Sequence, residues 1–256
     1  MLTSCSHLLT HSSGLGYDMF DPKLIKWSSA TGRTVSNNSY SLEGYTTPLL
    51  FEPGEGWVYG VGLDWVGHLV SILTNSTFEA YLAKNIFEPL EMSSTTFRLA
   101  ERPDLIQRRA AIALRAEPSA PLIAGGADPV PEKPPMAGGG SGLFSTANDY
   151  AKLLGALVKG GDGILKPESV RELCQPQLSD SKFLMATLDS PFRDFFCPEY
   201  PPGTPANYAL GVAINLEDVP GKRRKGSMMW SGMSNPHWVS FRRITSSGKQ
   251  FADDLP

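Results

Sequence analysis

The stretch Gly54-Glu55-Gly56-Trp57-Val58-Tyr59-Gly60-Val61-Gly62 constrains this chain most, because it sets four glycines around one tyrosine just before a helical pattern begins. Phe51-Glu52-Pro53-Gly54 ahead of it is turn chemistry, with proline fixing φ and glycine supplying a position with φ > 0. Tyr59 is therefore expected on a tight connection that enters a helix at about Leu63, where a rigidly held phenol can point into a cleft. The same residues also suit a core aromatic beside a structural turn.

With 256 residues, 41% of them hydrophobic, the chain can bury a substantial core as one or two domains. Its 23 basic and 26 acidic residues are mixed along the length and leave a net charge of −3, which points away from nucleic acid and anionic membranes as partners. The basic run Lys222-Arg223-Arg224-Lys225 lies between Pro220-Gly221 and Gly226 and reads as a solvated hairpin tip. No window approaches the ~18 consecutive apolar residues that span a bilayer, and no basic segment followed by an apolar one opens the chain. Cys5, Cys174 and Cys197 are odd in number and widely spaced, which fits a reducing compartment, and a cytoplasmic protein is expected. Asn37 and Asn75 stand in glycosylation sequons that read as chance in that setting. Cys5, His7 and His11 lack a fourth ligand nearby, so the histidines are expected to pack or cap, and no metal or cofactor is implied.

Taken in order, residues 7–15 read as the end of a short helix stopped by Gly14, and residues 18–48 as a polar loop region with short helical turns. Leu63, Val66, Leu69, Val70 and Leu73 follow helical spacing. Phe78, Tyr81, Leu82 and Phe87 follow a second run with Ser76 or Thr77 as N-cap, ended by Pro89. Residues 116–140 are rich in proline and glycine and predict a long loop without regular structure. Residues 116–135 of it are expected to form a mobile wall over a site. The loop runs into Gly138-Gly139-Gly140-Ser141-Gly142, which lacks both the Walker lysine and the dinucleotide fingerprint. Thr146 to Asp149 outlines a capping box for a helix through Val158, another helix starts at Pro167, and Tyr208, Leu210, Val212 and Ile214 alternate as a half-buried strand. Residues 228–231 and 237–241 follow as further strands, and the whole suggests an α+β arrangement.

Several of these motifs, in this order, resemble the serine β-lactamase-related family, which includes penicillin-binding proteins, family VIII-type esterases and statin-forming acyltransferases. The matching text is Leu8-Leu-Thr-His-Ser-Ser-Gly-Leu15, Phe51-Glu-Pro-Gly54 with Trp57-Val-Tyr59, Asn85-Ile-Phe-Glu-Pro-Leu90 with Thr96-Phe97, residues 138–146, and Tyr208-Ala-Leu-Gly211. The resemblance covers roughly residues 7–240 and implies a β-lactamase/transpeptidase-like α+β fold, with residues 1–240 as its domain and 241–256 as a divergent tail. In that family a Ser-x-x-Lys pair supplies nucleophile and base, a tyrosine shuttles the proton, and a Lys/His/Trp-x-Gly strand completes the oxyanion hole.

By resemblance Tyr59 carries the tyrosine role. Trp230-Ser231-Gly232 is the strand motif in its tryptophan form, and the backbone N–H of Met233 is an oxyanion donor. A tryptophan in place of a cation favours neutral ester or thioester acyl groups, so a small-molecule acyl substrate is expected. The family places Ser-x-x-Lys upstream of Leu8, a region expected to be missing from a truncated chain. Ser179-Asp-Ser-Lys182 and Ser246-Ser-Gly-Lys249 match the pattern formally but follow the tyrosine loop. The competing expectations are a truncated acyl hydrolase or acyltransferase and a catalytically inactive binding relative. An unrelated globular protein with structural glycine turns is the remaining alternative.

Overall fold

The structure, a computed structural model, describes residues 2–240 apart from 118, 126–129, 192, 233 and 235. The tyrosine stretch and the Leu8–Leu15 motif are two sides of one assembly. Helix α1 (Cys5–Leu9) is opened by a capping box between Ser4 and His7. It ends earlier than Gly14 suggests, because His11 itself turns the chain with φ 56°. Segments 11–14 and 50–58 then run side by side, with Leu50 N–H donating to Gly14 O at 2.9 Å, Gly54 N–H to Ser12 O at 2.8 Å and Val58 N–H to His11 O at 3.0 Å. Two glycines of the stretch are required by this closeness. A Cβ at Gly60 would stand 2.1 Å from Leu15 O, and one at Gly62 would stand 2.4 Å from Leu8 O. Gly62 starts α4 (Gly62–Thr74), close to the expected Leu63.

Between these segments lies α2 (Pro22–Thr31), where a loop region was expected. It is defined by its ends rather than by an apolar stripe: Asp21 accepts from Lys23 and Leu24 N–H, proline opens the first turn, and Gly32 closes it in the left-handed region. A 3-10 turn (Asn37–Ser39) and α3 (Leu42–Tyr45) follow. Asn37 is buried and its side-chain amide donates to Gly44 O at 2.7 Å, which leaves that sequon no accessible acceptor. Thr77 caps α5 (Phe78–Leu82), which continues as a π-turn over Ala83–Phe87. Helix α6 (Pro103–Ile106) precedes a two-stranded hairpin, β1 (Ala113–Leu114) against β2 (Ile123–Ala124), so the proline-rich segment does hold a short ladder. Its far end is pinned by Glu132, whose carbonyl accepts from Ala100 N–H at 3.2 Å and whose carboxylate pairs with Arg109.

Thr146 caps α7 (Ala147–Val158) and Pro167 opens α8 (Pro167–Leu173), as the sequence predicts. Helices α9 (Lys182–Leu188) and α10 (Arg193–Phe196) precede a four-stranded antiparallel meander in chain order, β3 (Ala206–Tyr208), β4 (Ala213–Asn215), β5 (Met228–Ser231) and β6 (His237–Ser240). The alternating residues 208–214 are thus a hairpin instead of one strand. Gly211, at φ 87°, makes the turn, and its N–H donates to Leu9 O at 3.0 Å. Strands β3, β4 and most of β5 are continuously buried because both faces of the sheet are covered there, whereas β6 is exposed at His237 and half-buried beyond it. Met229, Trp230, Tyr208 and Ala213 pack with α9 and α10, while Met228, Ile214 and Val212 pack with Val170, Cys174 and Leu157. The basic tip is only partly solvated: Arg223 is buried, paired with Glu199 and seated over the Tyr200 ring. Its aliphatic stem and planar head can pack where a lysine would stay in water.

Candidate active site

Tyr59 and Trp230, 171 residues apart in sequence, meet where the glycine stretch crosses the end of β5, with Trp230 Nε1 3.4 Å from the Tyr59 hydroxyl. The phenol is half-buried in a cage of rings. Centroid distances are 4.7 Å to His11, 5.1 Å to Phe196, 5.3 Å to Trp230 and 5.4 Å to Tyr17. Trp230 stacks on Phe196 at 5.4 Å and meets Tyr208 edge-on at 5.3 Å, so its indole has one orientation available. Ser231 Oγ donates to Phe196 O at 3.2 Å and ties the end of β5 to α10. Gly232 N–H donates to Pro236 O at 3.1 Å and closes the β5–β6 turn. That N–H is therefore engaged within the turn, and Met233 lies outside the described residues.

Burial raises the pKa of Tyr59 above the ordinary tyrosine value. Hydrogen bonds from Trp230 and Tyr17 oppose this, and the charge of Asp64 adds to it. At neutral pH Tyr59 is a protonated phenol with an indole N–H at its oxygen, an arrangement that can donate a proton, or relay one by giving up its own as it accepts another, at one fixed point. His11 beside it is neutral: complete burial lowers its pKa to about 3, and Gly60 N–H donates to Nδ1 at 3.4 Å, which puts the ring proton on Nε2. Tyr17, Phe196 and Asp64 were not singled out in the sequence, and His11 and Tyr208 were named there without a place in the site. His11 and Tyr208 lie inside quoted motifs, whereas the others join the site only through tertiary packing.

The first formal Ser-x-x-Lys match lies elsewhere. Ser179 is exposed, and Lys182 is the first residue of α9, with Nζ paired to Asp180 at 2.8 Å. Ser246 and Lys249 fall outside the described residues. Among the described residues no group of three His, Cys, Asp or Glu side chains could hold a metal, and no helix is long and apolar enough to cross a membrane. His7 caps α1 and His11 packs; Cys5 is exposed, and Cys174 and Cys197 are buried thiols outside any disulfide.

Known proteins match this arrangement over almost its whole length, and the Beta-lactamase family matches residues 3–245. The chain belongs to that family. Within the family it is 34% identical to lovastatin esterase of Penicillium rubens over 249 residues, covering 94% of this chain and 61% of the relative. It is equally 34% identical to monacolin J acid methylbutanoyltransferase of Aspergillus terreus over 246 residues, covering 91% of this chain and 57% of the relative. The solved structure of simvastatin synthase from Aspergillus terreus, unliganded, superposes with a TM-score of 0.83 at 32% identity, over 93% of this chain and 60% of that one. EstCE1, a hydrolase with promiscuous acyltransferase activity, shares the fold with a TM-score of 0.71 at 18% identity. The chain thus has the β-lactamase/transpeptidase-like fold and spans about 60% of the length of the relatives it matches.

Proposed function

We propose that this chain is the tyrosine-and-strand part of a serine acyl hydrolase or acyltransferase that handles ester or thioester acyl groups through an acyl-enzyme, in a cytoplasmic setting, with a small-molecule acyl substrate and no cofactor. The observation that carries the reading is the Tyr59 hydroxyl held 3.4 Å from Trp230 Nε1 inside a cage of rings. An acyl-enzyme cycle needs one group that takes a proton from the nucleophile and gives it to the leaving oxygen or sulfur. A phenol fixed at both ring and hydroxyl meets that geometric demand. Trp230 stands where a cation would grip a carboxylate. Its uncharged surface favours neutral acyl groups, which agrees with the ester and acyl-transfer names of the relatives. The backbone N–H of Met233 is assigned the oxyanion role on the same reading.

The nucleophile is assigned to a Ser-x-x-Lys segment placed ahead of Leu8, in the family order. The test is intact-mass spectrometry of protein carrying that segment after brief exposure to short acyl esters. An acyl adduct on the serine, formed roughly 10²–10⁴-fold more slowly in Tyr59→Phe, supports the assignment. Acylation at an unchanged rate in Tyr59→Phe sinks it.

A further inference from the structure

The hydrogen bond at the centre of the site belongs to two rings, and a third touches both. Trp230 Nε1–H donates to the Tyr59 hydroxyl oxygen at 3.4 Å, beyond the usual limit of about 3.2 Å, so a small rotation of either ring is enough to break it. Phe196 lies 5.1 Å from Tyr59, with 74° between the ring planes, and 5.4 Å from Trp230 at 27°, while Tyr59 and Trp230 stand 5.3 Å apart. The three centroids form a nearly equilateral triangle in which each ring limits the swing of the other two. Tyr208 holds the indole from another side at 5.3 Å, and His11 and Tyr17 hold the phenol, but among the described residues Phe196 is the ring that meets both. Its backbone joins the same grip. Phe196 O accepts from Ser231 Oγ at 3.2 Å, so ring and carbonyl hold the consecutive residues Trp230 and Ser231 at the end of β5. We propose that Phe196 is a positioning residue for the reaction at Tyr59, a two-point clamp by which α10 aims the Trp230 N–H at the phenol oxygen.

This role rests on Tyr59 being the proton carrier of the reaction. As the phenol gives up its proton its oxygen gains negative charge, and a donor already aimed at that oxygen stabilises it without having to turn first. Phe196 itself reacts with nothing. Its flat face stacks on the indole and its edge or face meets the phenol, so the angle between the two partners is set by a planar surface that an aliphatic side chain does not offer. A residue that only filled the core would leave the bond in place when exchanged for an aliphatic of similar bulk, because the buried apolar volume is nearly kept. The clamp predicts the opposite.

The experiment is NMR of the 256-residue chain labelled with ¹⁵N at the indoles, with Trp230→Phe assigning the Trp230 N–H resonance. Removing the acceptor by Tyr59→Phe should move that resonance upfield and quicken its exchange with solvent. In Phe196→Leu the same second substitution should move it little, whereas in Phe196→Tyr it should act as in the wild type. Comparing the Tyr59→Phe shift between backgrounds cancels the direct ring-current effect of residue 196. A shift of equal size in wild type and Phe196→Leu overturns the proposal, since the bond then ignores Phe196. So does a wild-type resonance that Tyr59→Phe leaves unmoved. If Phe196→Leu does not fold, Phe196→Met takes its place with the same two outcomes. In protein carrying the Ser-x-x-Lys segment, Phe196→Leu should slow acylation by short esters roughly 10- to 100-fold at unchanged ester affinity. Acylation as fast as the wild type in Phe196→Leu, where Tyr59→Phe is slow, also overturns it. If Tyr59→Phe itself acylates at the wild-type rate, the proton-carrier reading fails while the aiming of the bond is still judged by NMR, so the two can fail separately.

Discussion

Two buried groups near the site oppose each other in acid, and removing either should expose the other. His11 titrates at about 6.5 when exposed and at about 3 in the fold. Between those values the unfolded chain carries a proton that the folded chain lacks. His11 therefore contributes stability that is complete above pH 6.5 and is lost as pH falls towards 3, at about 1.4 kcal/mol per pH unit. Asp64 moves the other way, from 3.8 to about 6, so the folded chain holds the extra proton. Its contribution is complete below pH 3.8 and is lost as pH rises through 6, at about the same slope. From pH 4.5 to 6 the two slopes nearly cancel, and the wild type should be almost flat. Asp64→Asn should gain about 2 kcal/mol across that window, whereas His11→Asn, which tolerates the left-handed backbone at this position, should lose somewhat less than 2 kcal/mol. Urea unfolding followed by tryptophan fluorescence at half-unit pH steps measures all three. A variant pair whose slopes match the wild type would refute the opposing-charge reasoning, whatever the absolute stabilities.

Other expectations concern packing and reactivity. Trp230→Leu removes the surface shared with Phe196, Tyr208 and Tyr59 and should cost about 3 kcal/mol in chemical denaturation, more than Trp230→Phe. Asp149→Ala leaves Ser94 N–H, the Thr95 hydroxyl and Lys152 without their common acceptor and should cost about 2 kcal/mol, read as a lower denaturant midpoint. The 256-residue chain should form no covalent adduct with a serine-reactive phosphonate at the Tyr59 cleft. Stoichiometric labelling of Ser179, abolished by Lys182→Ala, would make the surface pair catalytic and overthrow that expectation.

What could be read from the sequence is what local chemistry determines. Helix α4 carries its apolar spacing in the sequence, α7 its Thr146 cap and α8 its opening Pro167, and β5 is bounded as expected. Helix α2 was missed because polar residues dominate it and Leu24 is its one fully buried position, so no apolar stripe announces it. The hairpin at 206–215 was read as one strand because its apolar alternation runs straight through the turn, and only Gly211 marks the break. Tyr59 and Trp230 could be named from motifs, but their contact spans the whole domain. Asp64 lies inside an apolar helical run, where a carboxylate normally reads as the wet face; nothing local says that Gly140, 76 residues downstream, donates to it at 3.1 Å.

The meeting of Tyr59 with Trp230 has a consequence in time as well as in space. On a ribosome adding roughly 5–20 residues per second, the 171 residues between them take roughly 10 to 30 s to emerge. During that interval His11, Trp57 and Tyr59 exist as a half-built aromatic surface whose natural cover, the indole of β5 and the rings of Phe196 and Tyr208, has not yet been made. The nascent chain must therefore carry a sticky patch through most of its own synthesis. Slowed translation before residue 230 should lengthen its stay with chaperones, whereas an equal pause after residue 240 should not.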